Sequence, residues 1–208
     1  NWAGDVLPGP SDDAVINVAG SPTITYSSGA PFTVNSLACA EAFTMTSGTL
    51  TLAAASSVSG ATLFSGGTIT GAGNLSITNA FTWDAGTMSG TGLSIIGTGV
   101  IMTMNTAGTK VLSRNLVNGG RINHSVGLLQ FANGGTLSNA TGHVYNLLAA
   151  GTISSLGSGN VFNNAGVFND QTIATITLGM TFNSTGQVNV YGGALNIDGG
   201  GSNTGTRN

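Results

Sequence analysis

A 19-residue repeat constrains this chain more than any other feature. The tripeptides Gly48-Thr49-Leu50, Gly67-Thr68-Ile69 and Gly86-Thr87-Met88 follow one another at that spacing. Two sets of apolar residues recur with it, Met45, Phe64 and Trp83, and Leu50, Ile69 and Met88. Short repeats with apolar residues in fixed register are typical of solenoids, whose units bury their apolar faces only by stacking on neighbours. We therefore expect each set to form a column in a continuous core.

The repeat unit has the pattern of short strands. Apolar residues alternate with Thr and Ser, which is the period-two pattern of a strand with one buried face. No segment of ten or more residues carries the apolar stripe of a helix. The sequence therefore predicts an all-β fold with little or no helix. We expect a single-stack parallel β-helix, or β-solenoid, of roughly ten coils of about 20 residues, with the right-handed crossovers that parallel strands favour.

The whole chain, 1–208, is interpreted as one β-solenoid domain. Residues 1–13 are rich in turn formers and are predicted to cap the stack, with Trp2 as a plug over the first coil. The coils are expected to occupy 14–198. The glycine-rich segment 199–208 is expected to be a tail or a linker to a next coil. Because the chain opens at Asn1 without a methionine, we expect a processed chain or a fragment.

The second half of the chain uses a different form of the repeat. An asparagine stands three residues before a glycine at Asn139, Asn163 and Asn183. Asparagines at equivalent corners of stacked coils can hydrogen-bond through their amides, as in cross-β ladders. The uneven spacing of these three residues predicts an insertion within 147–159.

The composition excludes several classes of protein. Charged residues make up 5% of the chain, but 40% hydrophobic content is too high for a disordered chain. No apolar run approaches the roughly 18 residues of a membrane helix, so we expect no membrane insertion. The net charge of −3 gives no electrostatic attraction for nucleic acid. Scarce Lys and Glu, with many hydroxyl and amide side chains, favour an exported protein at the cell surface or outside the cell.

Few residues are candidates for a chemical site. Cys39 is the chain's one cysteine, so it forms no intrachain disulfide and is expected in the core. Asp12 and Asp13 are the only adjacent carboxylates. They suggest either a calcium or catalytic site or, as we favour, a turn in which Asp accepts backbone N–H bonds before the first strand.

Basic residues and histidines offer two weaker candidates. Lys110, Arg114 and Arg121 are predicted to form either a solvated corner, the favoured interpretation, or a basic strip that binds an anionic sugar. His124 and His143 are about one coil apart, which predicts stacked surface residues rather than a metal site, because no Cys or carboxylate is close in the sequence. We expect no catalytic residue, no cofactor and no metal.

Three stretches resemble a known group of proteins. They are Leu7-Pro8-Gly9-Pro10-Ser11-Asp12-Asp13-Ala14-Val15-Ile16, preceded by Trp2, then Gly67-Thr68-Ile69-Thr70-Gly71-Ala72-Gly73-Asn74-Leu75, and Phe81-Thr82-Trp83-Asp84-Ala85-Gly86-Thr87-Met88-Ser89-Gly90. Together they resemble the repeats of large secreted bacterial β-solenoid proteins, the autotransporter passengers and filamentous-haemagglutinin-like adhesins. The resemblance implies an exported, structural or adhesive protein.

These observations predict a non-enzymatic extracellular structural protein that assembles end to end with copies of itself. Exposed strand edges at the two ends of a solenoid favour such stacking. The residues expected at these ends are Trp2, Val15, Ile16, Val188, Val190, Leu195 and Ile197. One alternative is an adhesin segment that binds extracellular glycans. Another, less favoured, is a divergent polysaccharide-processing enzyme, which needs a carboxylate cluster that the sequence spacing does not provide.

Overall fold

The structure is a computed structural model that describes residues 3–208. Trp2, the predicted plug, lies outside the described residues. Within them the chain forms 24 strands and one short 3₁₀ turn at Ala3–Asp5. No helix of the described part is both long enough and apolar enough to span a bilayer.

The strands follow one another with short turns between them. In chain order they are β1 (Asp13–Ile16), β2 (Thr23–Tyr26), β3 (Phe32–Val34), β4 (Ser36–Cys39), β5 (Ala42–Met45), β6 (Thr49–Leu52), β7 (Ser56–Val58), β8 (Thr62–Phe64), β9 (Thr68–Thr70), β10 (Leu75–Ile77), β11 (Phe81–Trp83), β12 (Gly86–Ile96), β13 (Ile101–Met104), β14 (Lys110–Asn118), β15 (Arg121–Ala132), β16 (Thr136–Asn139), β17 (Val144–Leu156), β18 (Val161–Asn164), β19 (Val167–Asp170), β20 (Thr175–Leu178), β21 (Thr181–Ser184), β22 (Gln187–Val190), β23 (Ala194–Ile197) and β24 (Thr206–Arg207).

Each coil contributes a strand to each of three stacked ladders, and the described pairings are all parallel. The first ladder begins with β1, β4, β7 and β10. The second begins with β2, β5, β8 and β11, and the third with β3, β6, β9 and the first part of β12. The long strands β12, β14, β15 and β17 turn a corner and belong to two ladders each. The predicted parallel β-solenoid of about ten coils with turns of about 20 residues is confirmed.

The repeated apolar residues lie in register inside the stack. Phe64 pairs with Met45 on one side and with Trp83 on the other, and all three are fully buried. In the third ladder Ile69 likewise pairs with Leu50 and Met88. The glycine of each repeat turns the corner: Gly67 has a φ of 82°, and a Cβ on it would lie 2.6 Å from the carbonyl oxygen of the glycine one coil earlier. Larger residues are therefore excluded at this corner.

Aromatic rings fill the core of the later coils. Phe162 packs edge to face against Tyr145, Phe168 and Phe182, with ring centroids 5.2, 5.5 and 5.4 Å apart. These rings are fully buried. Their edge-to-face arrangement stabilises the pairs beyond the effect of area burial.

The coil length varies in the middle of the stack. The register shifts between Ser89 and Leu93 in the pairing of β12 with β14, and between His124 and Val126 in the pairing of β15 with β17. The partners of His124 and Val126 are Leu147 and Ala150, so one extra residue lies there. Another extra residue lies in the turn between β17 and β18, because Ala132 pairs with Leu156 but Thr136 pairs with Val161. Both fall within or next to the predicted insertion range.

Candidate functional site

The basic strip expected at Lys110, Arg114 and Arg121 does not form. Lys110 and Arg114 are buried, and Arg121 alone is exposed. The alternative of a solvated corner is wrong for the same two residues. Their side chains point into the stack because backbone carbonyl groups there need donors.

The ammonium group of Lys110 holds a long turn together. Its Nζ donates to the carbonyl oxygens of Thr106, Gly108 and Val126 at 2.6, 2.8 and 3.2 Å. A lysine has three N–H donors, so all three are used. Burial lowers the pKa of Lys110, and the carboxylate of Asp84 opposes this effect. The arrangement leaves no free proton donor for catalysis at this nitrogen.

The guanidinium group of Arg114 spans two preceding coils. Its Nε donates to Gly92 O at 2.9 Å, and its Nη2 donates to Gly73 O at 2.9 Å and to Leu93 O at 3.1 Å. Nη1 is buried without a partner in the described residues. Burial lowers the pKa of Arg114. The side chain lies where β12 has its register shift, and it donates to the carbonyl oxygens of Gly92 and Leu93 at that shift.

The expected stacking of His124 with His143 is wrong, because His124 is buried and pairs with Leu147 in the next coil. Its Nε2 is 2.8 Å from the carbonyl oxygen of Gly127, and its Nδ1 is 2.9 Å from the hydroxyl of Tyr145. Since a carbonyl only accepts, Nε2 carries the proton and Nδ1 accepts from Tyr145.

Burial dominates the titration of this pair. Burial, opposed by the hydrogen bond to Gly127 O and assisted by the charge of nearby Lys110, lowers the pKa of His124 to about 4. Burial also raises the pKa of Tyr145 far above its usual value. The imidazole is therefore neutral at physiological pH, and its two nitrogens are occupied by internal hydrogen bonds.

The carboxylates are dispersed. Asp12 accepts the backbone N–H of Gly9 at 2.8 Å, which is the turn contact that we favoured over a metal site. Asp13 accepts from the hydroxyl of Ser36 and the amide of Asn35 in the next coil, and these two bonds lower the pKa of Asp13. Within residues 3–208 no three His, Cys, Asp or Glu side chains lie together as a metal site requires.

Cys39 lies in the core, as its apolar surroundings predict. Its Sγ contacts the carbonyl oxygen of Glu41 at 3.5 Å. Burial raises the pKa of the Cys39 thiol. Because the thiolate is the reactive form, this cysteine has the character of a structural residue rather than a nucleophile.

Asparagine ladders are the main polar feature of the later coils. The inner ladder is buried: Asn118 donates to Asn139 at 2.8 Å, Asn139 to Asn164 at 2.7 Å, and Asn164 to the hydroxyl of Ser184 at 3.0 Å. The prediction that Asn139, Asn163 and Asn183 share a column is wrong, because Asn139 pairs with Asn164 and not with Asn163. The turn after Asn139 is longer than the later ones, which displaces the glycine used for the alignment. Asn163 does accept from Asn183 at 2.9 Å, on the outer face.

Another row of hydrogen-bonded asparagines runs along the outer face of the strands β15, β17, β19 and β22. Each asparagine Nδ2 in it donates to the Oδ1 one coil earlier, at 2.8 to 3.0 Å. This outer ladder consists of Asn123, Asn146, Asn169, Asn189 and Asn208. Sequence reasoning missed it because the interval between members falls from 23 residues to 20 and then 19. The signal that identifies the first four is their shared place as the third residue of a strand, directly after a buried apolar residue.

The two ends of the stack differ from the prediction in one respect. In the part of the chain that the structure describes, Val15 and Ile16 lie on β1, which pairs on one side only, with β4. Leu195 and Ile197 lie on β23, whose one partner among these residues is β20. Val188 and Val190 are not at the end, because the segment expected to be a tail returns as β24 and places Arg207 beside Val188.

The first coil opens into an apolar cavity of about 300 Å³. Ile16, Ile24 and Phe32 are among the residues that line it, and the segment at Leu7 and Pro8 covers part of its mouth. Four large apolar side chains of residues 6–18 are also exposed, Val6, Leu7, Val15 and Val18. The N-terminal end of the described chain is therefore both apolar and open.

Comparison with protein-family models, curated proteins and solved structures found no match. The fold is a β-solenoid, and the relation to autotransporter passengers and haemagglutinin-like adhesins remains a resemblance of sequence pattern.

Proposed function

We propose that this chain is a non-enzymatic, extracellular structural protein whose solenoids stack end to end into a fibre or matrix layer. The observation that carries the proposal is the open N-terminal end. Among residues 3–208, β1, β2 and β3 pair only with β4, β5 and β6, and the cavity exposes apolar side chains. A free parallel edge above an apolar cavity favours pairing with another strand edge.

The charges favour contact between unlike ends. Asp5, Asp12 and Asp13 lie at the N-terminal end, and all four basic residues of the chain lie at or after position 110. The last coil carries Arg207 together with Asp198. Two N-terminal ends in contact bring six carboxylates together, whereas a head-to-tail contact brings no such repulsion. Head-to-tail contacts repeat without closing, so they generate filaments.

The composition supports an extracellular location, since Thr, Ser, Asn and Gly cover the surface where Lys and Glu are usual. Such a surface also lacks the net charge that keeps proteins apart. The resemblance to autotransporter passengers and haemagglutinin-like adhesins is consistent with this location.

Electron microscopy of the purified chain over a dilution series at neutral pH tests the proposal. Unbranched filaments with an axial repeat of about 50 Å are expected, from ten coils about 4.8 Å apart. Discrete particles of the wild-type chain at every concentration contradict the proposal.

A matched pair of variants tests the proposed joint. The carbonyl oxygen of Tyr26 accepts from the N–H of Thr46 in the next coil, so the backbone groups of Tyr26 face β5. Because successive residues of a strand direct their backbone groups to opposite sides, the N–H of Thr25 faces the open side of β2. Thr25→Pro removes this outward donor without removing an existing ladder bond, whereas Thr25→Val retains it. We expect filaments from Thr25→Val and monomers from Thr25→Pro, with both variants showing the wild-type circular dichroism spectrum. Filaments from both variants contradict pairing at this edge.

One observation favours the adhesin alternative. A groove of about 490 Å³ crosses three turns of the stack, and Arg121 and His143 line it beside Thr98. An arginine can bind a carboxylate through two hydrogen bonds, so an acidic glycan is the ligand class that the groove favours. A glycan screen with the wild-type chain and Arg121→Gln tests this, with Arg207→Gln as a control of equal charge change.

A further inference from the structure

The third ladder presents a regular array of hydroxyl groups that end-to-end stacking does not use. In β6, β9 and the first part of β12, the residues on either side of the buried Leu50, Ile69 and Met88 are Thr or Ser. Thr49, Thr68 and Thr87 pair in register as one column. Thr51 and Thr70 pair in a second column, which Ser89 continues in the same register. We call these six residues the hydroxyl face.

The face extends in both directions along the second column. Thr33 of β3 pairs with Thr51, and Ser113 of β14 pairs with Ser89. The second column therefore crosses five coils within one ladder of strands. The register shift of β12 comes after Ser89, so it does not disturb the face.

The spacing of the array follows from strand geometry. Equivalent residues on adjacent coils are about 4.8 Å apart, and residues two apart along one parallel strand are about 6.6 Å apart. Water oxygens on the prism faces of hexagonal ice form a rectangular net with comparable repeats. A rigid, flat net of hydroxyl groups at this spacing can hold a layer of water that joins the ice lattice.

The chemistry of the face suits the same partner. Threonine is β-branched, so its hydroxyl and methyl groups have few rotamers to lose when water is ordered on them. The side chains of the face are half-exposed, and the outward positions of these strands carry no charge. Lys110, at the start of β14, points inward. Charged groups hold strongly oriented hydration water that does not fit ice, so their absence matters.

The other two ladders lack this pattern. Outward positions of the second ladder include Ala42, Leu63 and Arg121, and those of the first include Val15 and Ala38. Two parallel hydroxyl columns therefore occur together on one side of the stack. We propose that the hydroxyl face is an ice-binding surface, with the crystal face of ice as its ligand. A filament and a monomer both present this face, so the proposal does not depend on end-to-end assembly.

Ice-growth assays with the wild-type chain test the proposal. We expect the protein to lower the freezing temperature of a seeded ice crystal below its melting temperature, and we call this difference the freezing gap. Within the gap the crystal should be faceted, and the protein should also inhibit ice recrystallisation in sucrose. Crystals that grow as rounded discs at every concentration, as with serum albumin, overturn it.

A matched pair of variants distinguishes the face from a general effect of the protein. Thr70→Tyr places a large ring in the middle of the hydroxyl face. Thr82→Tyr places the same ring at a half-exposed outward position of the second ladder. Both side chains point to solvent, so we expect both variants to keep the wild-type melting curve. Thr70→Tyr should lose most of the freezing gap and Thr82→Tyr should keep it. Equal activity of the two variants refutes the assignment to this face.

Discussion

Replacing Asn139 by alanine should destabilise the later coils by roughly 2–6 kcal/mol, because it breaks the inner asparagine ladder at its centre. The Nδ2 of Asn139 donates to Asn164 Oδ1 at 2.7 Å and to Val167 O at 3.0 Å. The bond to Asn164 is buried and the bond to Val167 is partly buried, and the variant leaves each acceptor without that donor. An unsatisfied buried polar group costs about 1–3 kcal/mol, which gives the stated range for two groups.

Urea unfolding followed by circular dichroism measures this loss. For a slope of about 3 kcal/mol per molar urea, the midpoint should fall by roughly 1 M. The control is Asn163→Ala, which removes a half-exposed amide pair on the outer face and should cost only about 0.5–1 kcal/mol. Because solenoids can unfold in parts, hydrogen exchange of the amides of β18 and β19 should show the same order.

Asn139→Asp sharpens the test without changing the shape of the side chain. A carboxylate cannot donate to Asn164 Oδ1, so at pH 7 the variant should be at least as unstable as the alanine variant. Protonation at low pH restores one donor, and part of the lost stability should return. If Asn139→Ala and Asn163→Ala have the same midpoint within error, the buried ladder does not contribute as argued.

Three further predictions concern two buried polar side chains and one corner glycine. The folded-state pKa of His124 is about 4, below its ordinary 6.5, so stability is complete above pH 6.5 and falls as pH drops towards 4. Urea unfolding should show that the free energy of unfolding falls by about 2 kcal/mol between pH 7 and pH 5 in the wild-type chain, and that this fall is absent in His124→Gln. Arg114→Ala should lower the free energy of unfolding by more than about 3 kcal/mol, since three carbonyl groups each lose a donor, whereas exposed Arg207→Ala should change it little; thermal melting measures both. Gly48→Ala places a Cβ 2.0 Å from Ser28 O at a φ of 81°, so it should melt well below Gly29→Ala, whose Cβ meets nothing within 4 Å.

The repeat made the fold predictable. Coils of constant length keep Met45, Phe64 and Trp83 in register, and this register is visible in the sequence because nothing is inserted between them. The alternation of apolar and hydroxyl residues then gives the inward and outward faces. Where coil length changes, the same reasoning failed by one residue, as at Asn139.

The polar interior could not be predicted in the same way. Residue type alone favours exposure for Lys110 and His124. What draws them inward is a set of backbone groups without ladder partners, and these become visible only when the strands are paired. The sequence contains the cause, a change in coil length, but not the direction of the side chains that respond to it.

Buried polar side chains and irregular coil lengths occur at the same places in this stack. Lys110 bonds to the carbonyl groups of the long turn before β14, Arg114 to those of the shift in β12, and His124 to Gly127 at the shift in β15. Asn160 does the same at the longer turn after β17, where it accepts from Gly134 and Gly135 and donates to Phe131 O and Leu156 O. A coil of constant length satisfies its backbone through the ladder, so glycine and apolar residues suffice. In a coil with inserted residues, some buried backbone groups lack a ladder partner. The free-energy cost of leaving such a group unpaired is about as large as the contribution of the side-chain hydrogen bond that satisfies it. The positions of Lys110, Arg114, His124 and Asn160 are therefore explained by the irregular coil lengths, with no requirement for a ligand or a reaction there.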